Sequence, residues 1–187
     1  MDAAKTKSPA TERTRSVAFV GLTIALMAVS AWVVIPLGPV PFTLQMFAIT
    51  FAVVVLAPKQ AVAAIVGYLL LGAVGVPVFS GMRGGIGVLA GPTGGFLWGY
   101  LIGVPAAAFF LKALGARRNF AAEVAAGVIF TAIAYGCGCV QFMAVGQVDF
   151  AAAFLTSCAP FIIPDLAKIV AAVVCARAVR KAVGLQG

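Results

Sequence analysis

Histidine is absent from this sequence of 187 residues, and charged side chains of either sign are scarce. Without histidine, the chain has no Ser-His or Cys-His pair for nucleophilic catalysis, and the commonest metal ligand is missing. Cys137 and Cys139 lack the spacing of a zinc site, and no second pair of ligands accompanies them. We therefore expect neither a metal nor a cofactor.

Carboxylates are also few: Asp2, Glu12, Glu123, Asp149 and Asp165. Paired catalytic carboxylates must lie close together, and long apolar segments separate these. Glu123 follows Arg117 and Arg118, so we expect an interfacial ion pair there. No Gly-Lys-Ser/Thr sequence ends a phosphate-binding loop, which excludes the standard nucleotide site. These absences argue against an enzyme.

Apolar residues are abundant instead. They make up 63% of the chain against 10% charged residues, whereas soluble domains average roughly 45–50% and ~25%. No charge occurs between Arg15 and Lys59, between Lys59 and Arg83, or between Arg83 and Lys112. Each gap holds at least one apolar stretch of the ~20 residues that cross a bilayer. We predict an all-α integral membrane protein, with one membrane domain at 16–183 between a disordered tail at 1–15 and a short tail at 184–187.

The spacing of turns and basic residues predicts the topology. We predict six membrane-spanning helices, at residues 16–35, 42–57, 61–76, 95–111, 121–145 and 160–178. With six spans, eleven of the basic residues fall on one side, and only Arg83 and Lys168 do not. Positive residues mark the cytoplasmic side, so both termini are expected there, with the loops at 36–41, 77–91 and 146–159 outside. A nucleic-acid partner is not expected, because the basic residues form no continuous face.

Small residues recur at helical spacing in two places. Four glycines repeat every four residues along the fourth span: Gly91, Gly95, Gly99 and Gly103. This pattern lets helix backbones approach closely, and we favour packing within the bundle over direct ligand contact. Gly21 and Ala25 form a shorter pair in the first span, which could meet a neighbouring helix or a partner subunit.

Residues 77–95 form a glycine-rich loop that is unusually apolar. Irregular backbone at membrane depth persists only where protein buries it or where it lines a cavity. We therefore expect the loop to fold inward as part of a lid over a binding site, where Arg83 would meet an anion. The alternative is an arginine at the lipid headgroups.

Asp165 and Lys168 introduce two opposite charges into the apolar last span. Three residues apart on a helix, they share a face, and Pro164 suits a first helical turn. Ionisable residues inside a membrane are candidates for a functional site. The pair is expected to anchor a small, partly polar ligand, or else to be a structural ion pair.

Three long motifs resemble the BioY family, the biotin-binding S components of energy-coupling factor (ECF) transporters. They are Pro39-Val-Pro41-Phe42-Thr43-Leu44-Gln45, then Gly75-Val-Pro77-Val-Phe79-Ser-Gly81 with its glycine-rich continuation to Phe96, and Pro160-Phe-Ile-Ile-Pro164-Asp165-Leu-Ala-Lys168. The resemblance covers about residues 16–183, with the motifs in order.

The resemblance implies a multi-pass subunit of the bacterial inner membrane that captures biotin on the outer side. The first and third outer loops would close its pocket. It also implies two kinds of partner, a transmembrane coupling protein and a pair of ABC-type ATPases. Two alternatives stay open: a biotin carrier that works without ATPases, and a structural membrane subunit in which Asp165 and Lys168 only hold helices together.

The same resemblance implies the ligand contacts. Asp165 would accept a ureido N–H of biotin, and Lys168 would donate to the ureido oxygen or support the carboxylate. The further biotin-binding residues that we predict are Gln45, Thr43, Arg83, Gly84 and Gly85.

Overall fold

The computed structural model describes residues 9–36 and 40–183, most of which are helical. In chain order the helices are α1 (Pro9–Trp32), α2 (Gln45–Val55), α3 (Pro58–Ala73), α4 (Ile86–Ala90), α5 (Gly94–Leu114), α6 (Phe120–Gly146), α7 (Phe150–Ser157) and α8 (Ile162–Val183). Short 3₁₀ turns, Gly115–Arg117 and Ala159–Phe161, precede α6 and α8. The prediction of an all-α protein is confirmed.

Within the described residues, four segments are long and apolar enough to cross a membrane: Glu12–Trp32, Gly94–Arg117, Phe120–Gly146 and Phe150–Val183. Two further apolar helices are shorter: α2 has 11 residues and α3 has 16. A full crossing takes about 20 residues. Six helices therefore match the six predicted spans in order, while the number of complete crossings stays a prediction.

The first helix begins earlier than we expected. It starts at Pro9, so the prediction of a disordered tail is wrong for residues 9–15. Proline is favoured in the first turn of a helix, and charged residues such as Glu12 and Arg13 do not interrupt one. The start of an apolar run shows where the chain enters the protein interior or the lipid. The helical backbone can begin several residues earlier. Residues 1–8 of the predicted tail, and the predicted tail at 184–187, lie outside the described residues.

A two-stranded hairpin stands where the sequence predicted only a proline-rich break. Strand β1 (Val34–Ile35) pairs antiparallel with β2 (Phe42–Thr43), in the register Val34 to Thr43 and Ile35 to Phe42. Residues 37–39 of the predicted break lie outside the described residues. The pairing delivers Thr43 directly to the start of α2. We call this end of the bundle, where α2 and α8 begin, the pocket end.

The other two predicted outer loops contain short helices that the sequence analysis missed. Helix α4 lies within 77–91 and α7 lies within 146–159. The Asp149 side chain accepts the N–H of Ala152 at 2.7 Å and so caps α7, as aspartate favourably does. Both helices are too short for hydrophobic periodicity to reveal.

Close contact between α5 and α6 holds the centre of the bundle together. A Cβ atom on Gly99 would lie 2.6 Å from the Cα atom of Ala134, and on Gly95 or Gly103 it would also lie within 3.0 Å of the α6 backbone. Gly91 differs, since it precedes α5 and a Cβ there would meet the Gly87 oxygen at 3.1 Å. Three of the four glycines on the predicted stripe thus lie against α6.

Candidate functional site

A cavity of about 630 Å³, measured to include its open mouth, lies at the pocket end. Its lining resembles that of small-molecule sites, which combine apolar walls with a few polar groups. The hairpin, the loop at 77–85, α5, α6 and the start of α8 all contribute to its lining. The aromatic residues of the wall are Phe42, Phe79, Phe96, Tyr100, Tyr135 and Phe161.

Asp165 is the buried acid of this cavity, with only 3% of the residue exposed. It lies in the first turn of α8, where the positive end of the helix dipole favours a carboxylate. The Tyr135 hydroxyl donates to its Oδ2 atom at 2.6 Å, and the Lys168 ammonium donates to its Oδ1 atom at 2.7 Å. An ionised carboxylate has about four acceptor positions, so acceptor capacity remains for a ligand.

Lys168 shares the face of α8 that carries Asp165, as the spacing of three residues predicts. Its ammonium group also donates to the main-chain oxygen of Thr43 at 2.6 Å. The same nitrogen lies 3.4 Å from the centre of the Phe42 ring, a cation–π arrangement. Since an ammonium has three N–H donors, one donor is left over after these two hydrogen bonds.

Thr43 and Gln45 lie in the lining as well, but their polar groups are used within the protein. The Thr43 hydroxyl donates to the Gln45 side-chain oxygen at 3.2 Å, and the Gln45 amide donates to the Tyr68 hydroxyl at 2.8 Å. Tyr68 in turn donates to the main-chain oxygen of Val78 at 2.8 Å. This chain of hydrogen bonds ties the hairpin side of the cavity to the loop at 77–85.

Arg83 reaches the cavity from that loop and is exposed. The loop is closed by paired main-chain hydrogen bonds between Phe79 and Arg83, and the Arg83 Nε atom donates to the Ser80 oxygen at 3.1 Å. Trp32 of α1 holds the loop from outside by donating to the Pro77 oxygen at 2.8 Å. The Ser80 hydroxyl also belongs to the lining, and it has no hydrogen-bond partner in the described parts of the chain.

Gly84 and Gly85 do not line the cavity, although we predicted them as ligand contacts. A Cβ atom on Gly84 would lie 2.4 Å from the Val76 oxygen, so this position needs glycine for the loop to close on itself. Gly85 has a φ of 95°, which disfavours any residue with a side chain. In this structure both glycines shape the loop that carries Arg83.

Gly21 and Ala25 lie far from this arrangement, on an exposed face of α1. A Cβ atom on Gly21 would have no neighbour within 4 Å. Both residues therefore belong to an exposed strip of small residues on the outside of α1.

Two polar residues that the sequence analysis missed are Tyr135, which lines the cavity, and Tyr68, which supports Gln45 from outside the lining. A buried tyrosine hydroxyl usually needs a hydrogen-bond partner, and the chain has only three tyrosines. A tyrosine in an apolar span therefore indicates a buried polar contact, but the sequence could not identify the partner of either hydroxyl.

Comparison with known proteins gives one family. The sequence model of the BioY family matches residues 3–185. The biotin transporter BioY of Thermotoga maritima is 41% identical over 162 residues, which cover 86% of this chain and 93% of that protein. A probable biotin transporter BioY of Pyrococcus horikoshii is 37% identical over 164 residues, covering 88% and 95%.

A solved structure shares the fold. It is the crystal structure, at 2.1 Å, of the S-component for biotin from an ECF-type ABC transporter. The two structures match with a TM-score of 0.86 and 25% sequence identity, over 95% of this chain and 94% of that one.

Proposed function

Because this chain belongs to the BioY family, we propose that it is the membrane subunit that captures biotin for uptake into the cell. The observation that supports this most directly is the Asp165–Lys168 pair, buried at the polar end of an aromatic cavity with hydrogen-bonding capacity left on both side chains. The relatives that match are transport proteins, which confirms the expectation that the chain is not an enzyme.

The chemistry of the cavity suits biotin. Its ureido ring offers N–H donors to the remaining acceptor positions of Asp165, and its ureido oxygen can take the remaining N–H of Lys168. The aromatic walls suit its carbon and sulfur rings. Arg83, exposed at the mouth, supplies a cation for the carboxylate of the biotin tail. The Ser80 hydroxyl could donate a further hydrogen bond to the same carboxylate.

We further propose six membrane crossings, with both termini in the cytoplasm and the pocket end facing outward. Arg177 and Arg180 lie near the end of α8, and Arg118 precedes α6, all at the end of the bundle opposite the pocket. Positive residues accumulate on the cytoplasmic side of membrane proteins. Residues 16–183 then form one membrane domain in the bacterial inner membrane.

The energy for transport is proposed to come from partners, a coupling membrane protein and a pair of ABC-type ATPases. The matching S-component belongs to such an ECF-type transporter. The exposed strip at Gly21 and Ala25 supports a contact with the coupling protein, because small residues allow another helix to approach closely.

A titration of labelled biotin into the detergent-purified chain tests the proposal. We expect tight, saturable binding that Asp165→Asn weakens by about 10- to 100-fold, since a hydrogen bond to a charged group contributes roughly 1.5–3 kcal/mol. Asp149→Asn is the matched control, because it removes a carboxylate outside the cavity and asparagine caps a helix equally well.

Binding that is weak in the natural chain and unchanged by Asp165→Asn would refute the site. Biotin transport in proteoliposomes that contain this chain alone would instead favour the carrier that needs no ATPase.

A further inference from the structure

Glu123 is a fully buried carboxylate at the end of the bundle opposite the pocket, with 1% of the residue exposed. Three arginines bind it: Arg118 and Arg180 at Oε1, at 2.8 and 2.9 Å, and Arg177 at Oε2, at 2.6 Å. The sequence predicted an ion pair with Arg117 and Arg118, but only Arg118 takes part. We call Arg118, Arg177 and Arg180 around Glu123 the arginine cluster.

The arginine cluster joins distant segments at one place. Arg118 also donates to the main-chain oxygen of Val54 at the end of α2, while Arg177 and Arg180 come from the last turns of α8. Arg177 is 12 residues beyond Asp165, or about 18 Å along the helix. The cluster is therefore separate from the biotin cavity and is not explained by ligand capture.

The charges of the cluster do not balance. Three guanidinium groups surround one carboxylate, and among the described residues these arginines form salt bridges only with Glu123. The side chains of Arg118 and Arg180 are only 19% and 15% exposed. Burial lowers the pKa of Arg118, the hydrogen bond to Glu123 raises it, and the charge of Arg180 lowers it again. Three partly buried guanidinium groups share one carboxylate, so the cluster keeps a net positive charge, and a further anion would stabilise this arrangement.

The surroundings indicate which anion fits. Arg177 is the most exposed member, at 43% of its side chain, and its guanidinium lies 5.5 Å from the centre of the exposed Phe120 ring. Val170 and Val174 precede it at helical spacing on the same face of α8, and they are 43% and 54% exposed. An apolar strip thus leads directly to an arginine with hydrogen-bonding capacity to spare.

We propose that the arginine cluster binds one phosphate group, that of an anionic membrane lipid whose acyl chain lies along Val170 and Val174. Arginine binds phosphate through paired hydrogen bonds, and basic sites between membrane helices on the cytoplasmic side are suited to lipid headgroups. A free phosphate ion would use the guanidinium groups but gain nothing from the apolar strip.

The thermal unfolding of the detergent-purified full chain tests this with three additions: phosphatidylglycerol, phosphatidylcholine and inorganic phosphate. Phosphatidylglycerol is expected to raise the Tm by on the order of 5 °C at about 100 times its dissociation constant. The zwitterionic lipid should raise it much less. Native mass spectrometry should then show one retained phosphatidylglycerol. An equal shift with inorganic phosphate would assign the same site to the free ion.

Arg177→Gln should abolish the shift selective for phosphatidylglycerol and leave biotin binding unchanged, since Arg118 and Arg180 still neutralise Glu123. Arg117→Gln is the matched control, because it removes the same charge beside the cluster without touching Glu123, and it should retain the shift. Equal shifts with both lipids, in a comparison that needs no variant, would overturn the proposal. A Tm shift selective for phosphatidylglycerol that survives Arg177→Gln would also overturn it. In that case the positive charge of the arginine cluster would instead suit an acidic protein partner.

Discussion

Lys168 donates a hydrogen bond of 2.6 Å to the main-chain oxygen of Thr43, 125 residues earlier in the chain. The side chain that the sequence marks as a ligand contact therefore also fastens the last helix to the hairpin. Because the same ammonium neutralises Asp165, removing it would affect both the fold and the site. The two roles must be separated by experiment.

Lys168→Met should destabilise the protein and eliminate tight biotin binding. It leaves Asp165 buried without its cation, and breaking a buried pair costs about 3–5 kcal/mol. The double variant Asp165→Asn with Lys168→Met removes both charges, so most of the stability should return while biotin binding stays lost. Thermal unfolding and biotin titration on the same preparations measure the two effects. If the double variant binds biotin as tightly as the natural chain, the pair is only structural.

Tyr135→Phe should weaken biotin binding by about 3- to 10-fold. The ring still packs beside Phe96, but Asp165 loses the hydroxyl that orients its Oδ2 atom. Because that hydroxyl acts on biotin only through Asp165, the expected loss of binding is roughly 1 kcal/mol, below the roughly 1.5–3 kcal/mol of a direct hydrogen bond to a charged group. The check is a double-mutant cycle with Asp165→Asn, measured by titration. If Tyr135 acts through Asp165, its removal has little effect in a chain that already carries Asp165→Asn, whereas additive losses would mean that Tyr135 contacts biotin directly.

Gly99→Ala should lower the Tm by several degrees. The added Cβ would lie 2.6 Å from the Ala134 backbone, and forcing extra volume into a packed interface costs about 1–3 kcal/mol. Gly136→Ala is the control on α6, where a Cβ meets nothing within 4 Å. Alanine favours a helix over glycine by about 1 kcal/mol, so this control should be neutral or stabilising. Equal changes in the two variants would contradict close packing of α5 on α6.

Gly21→Leu should leave stability and biotin binding unchanged, because a Cβ atom there would have no neighbour within 4 Å among the described residues. It should reduce co-purification with the proposed coupling protein and ATPases, since leucine prevents close approach of a partner helix. Gly136→Leu places the same bulk on another exposed face and should not affect assembly. Normal assembly and ATP-driven uptake with Gly21→Leu would remove α1 from the proposed contact.

The helices were predictable because their signals are local. Charge-free apolar runs located six long helices, and glycine or proline marked most of the breaks between them. The start of α1 at Pro9, the hairpin, α4 and α7 were missed, because hydropathy reports burial in an apolar environment and does not report backbone geometry. Gly84 and Gly85, which we predicted as ligand contacts in line with the family resemblance, lie in the loop outside the cavity lining, and a contact with the ligand stays a prediction.

The sequence by itself determined that this chain is an apolar helical protein and that Asp165 and Lys168 share one face of its last helix. Composition and helical periodicity are properties of neighbouring residues, so no tertiary structure is needed to find them. Only the fold decided what those charges meet: Tyr135 from α6, the Thr43 carbonyl from the hairpin, and the aromatic wall. It likewise brought Arg177 and Arg180 to Glu123, more than 50 residues away. Such contacts depend on how separate helices pack, which no single stretch of sequence specifies.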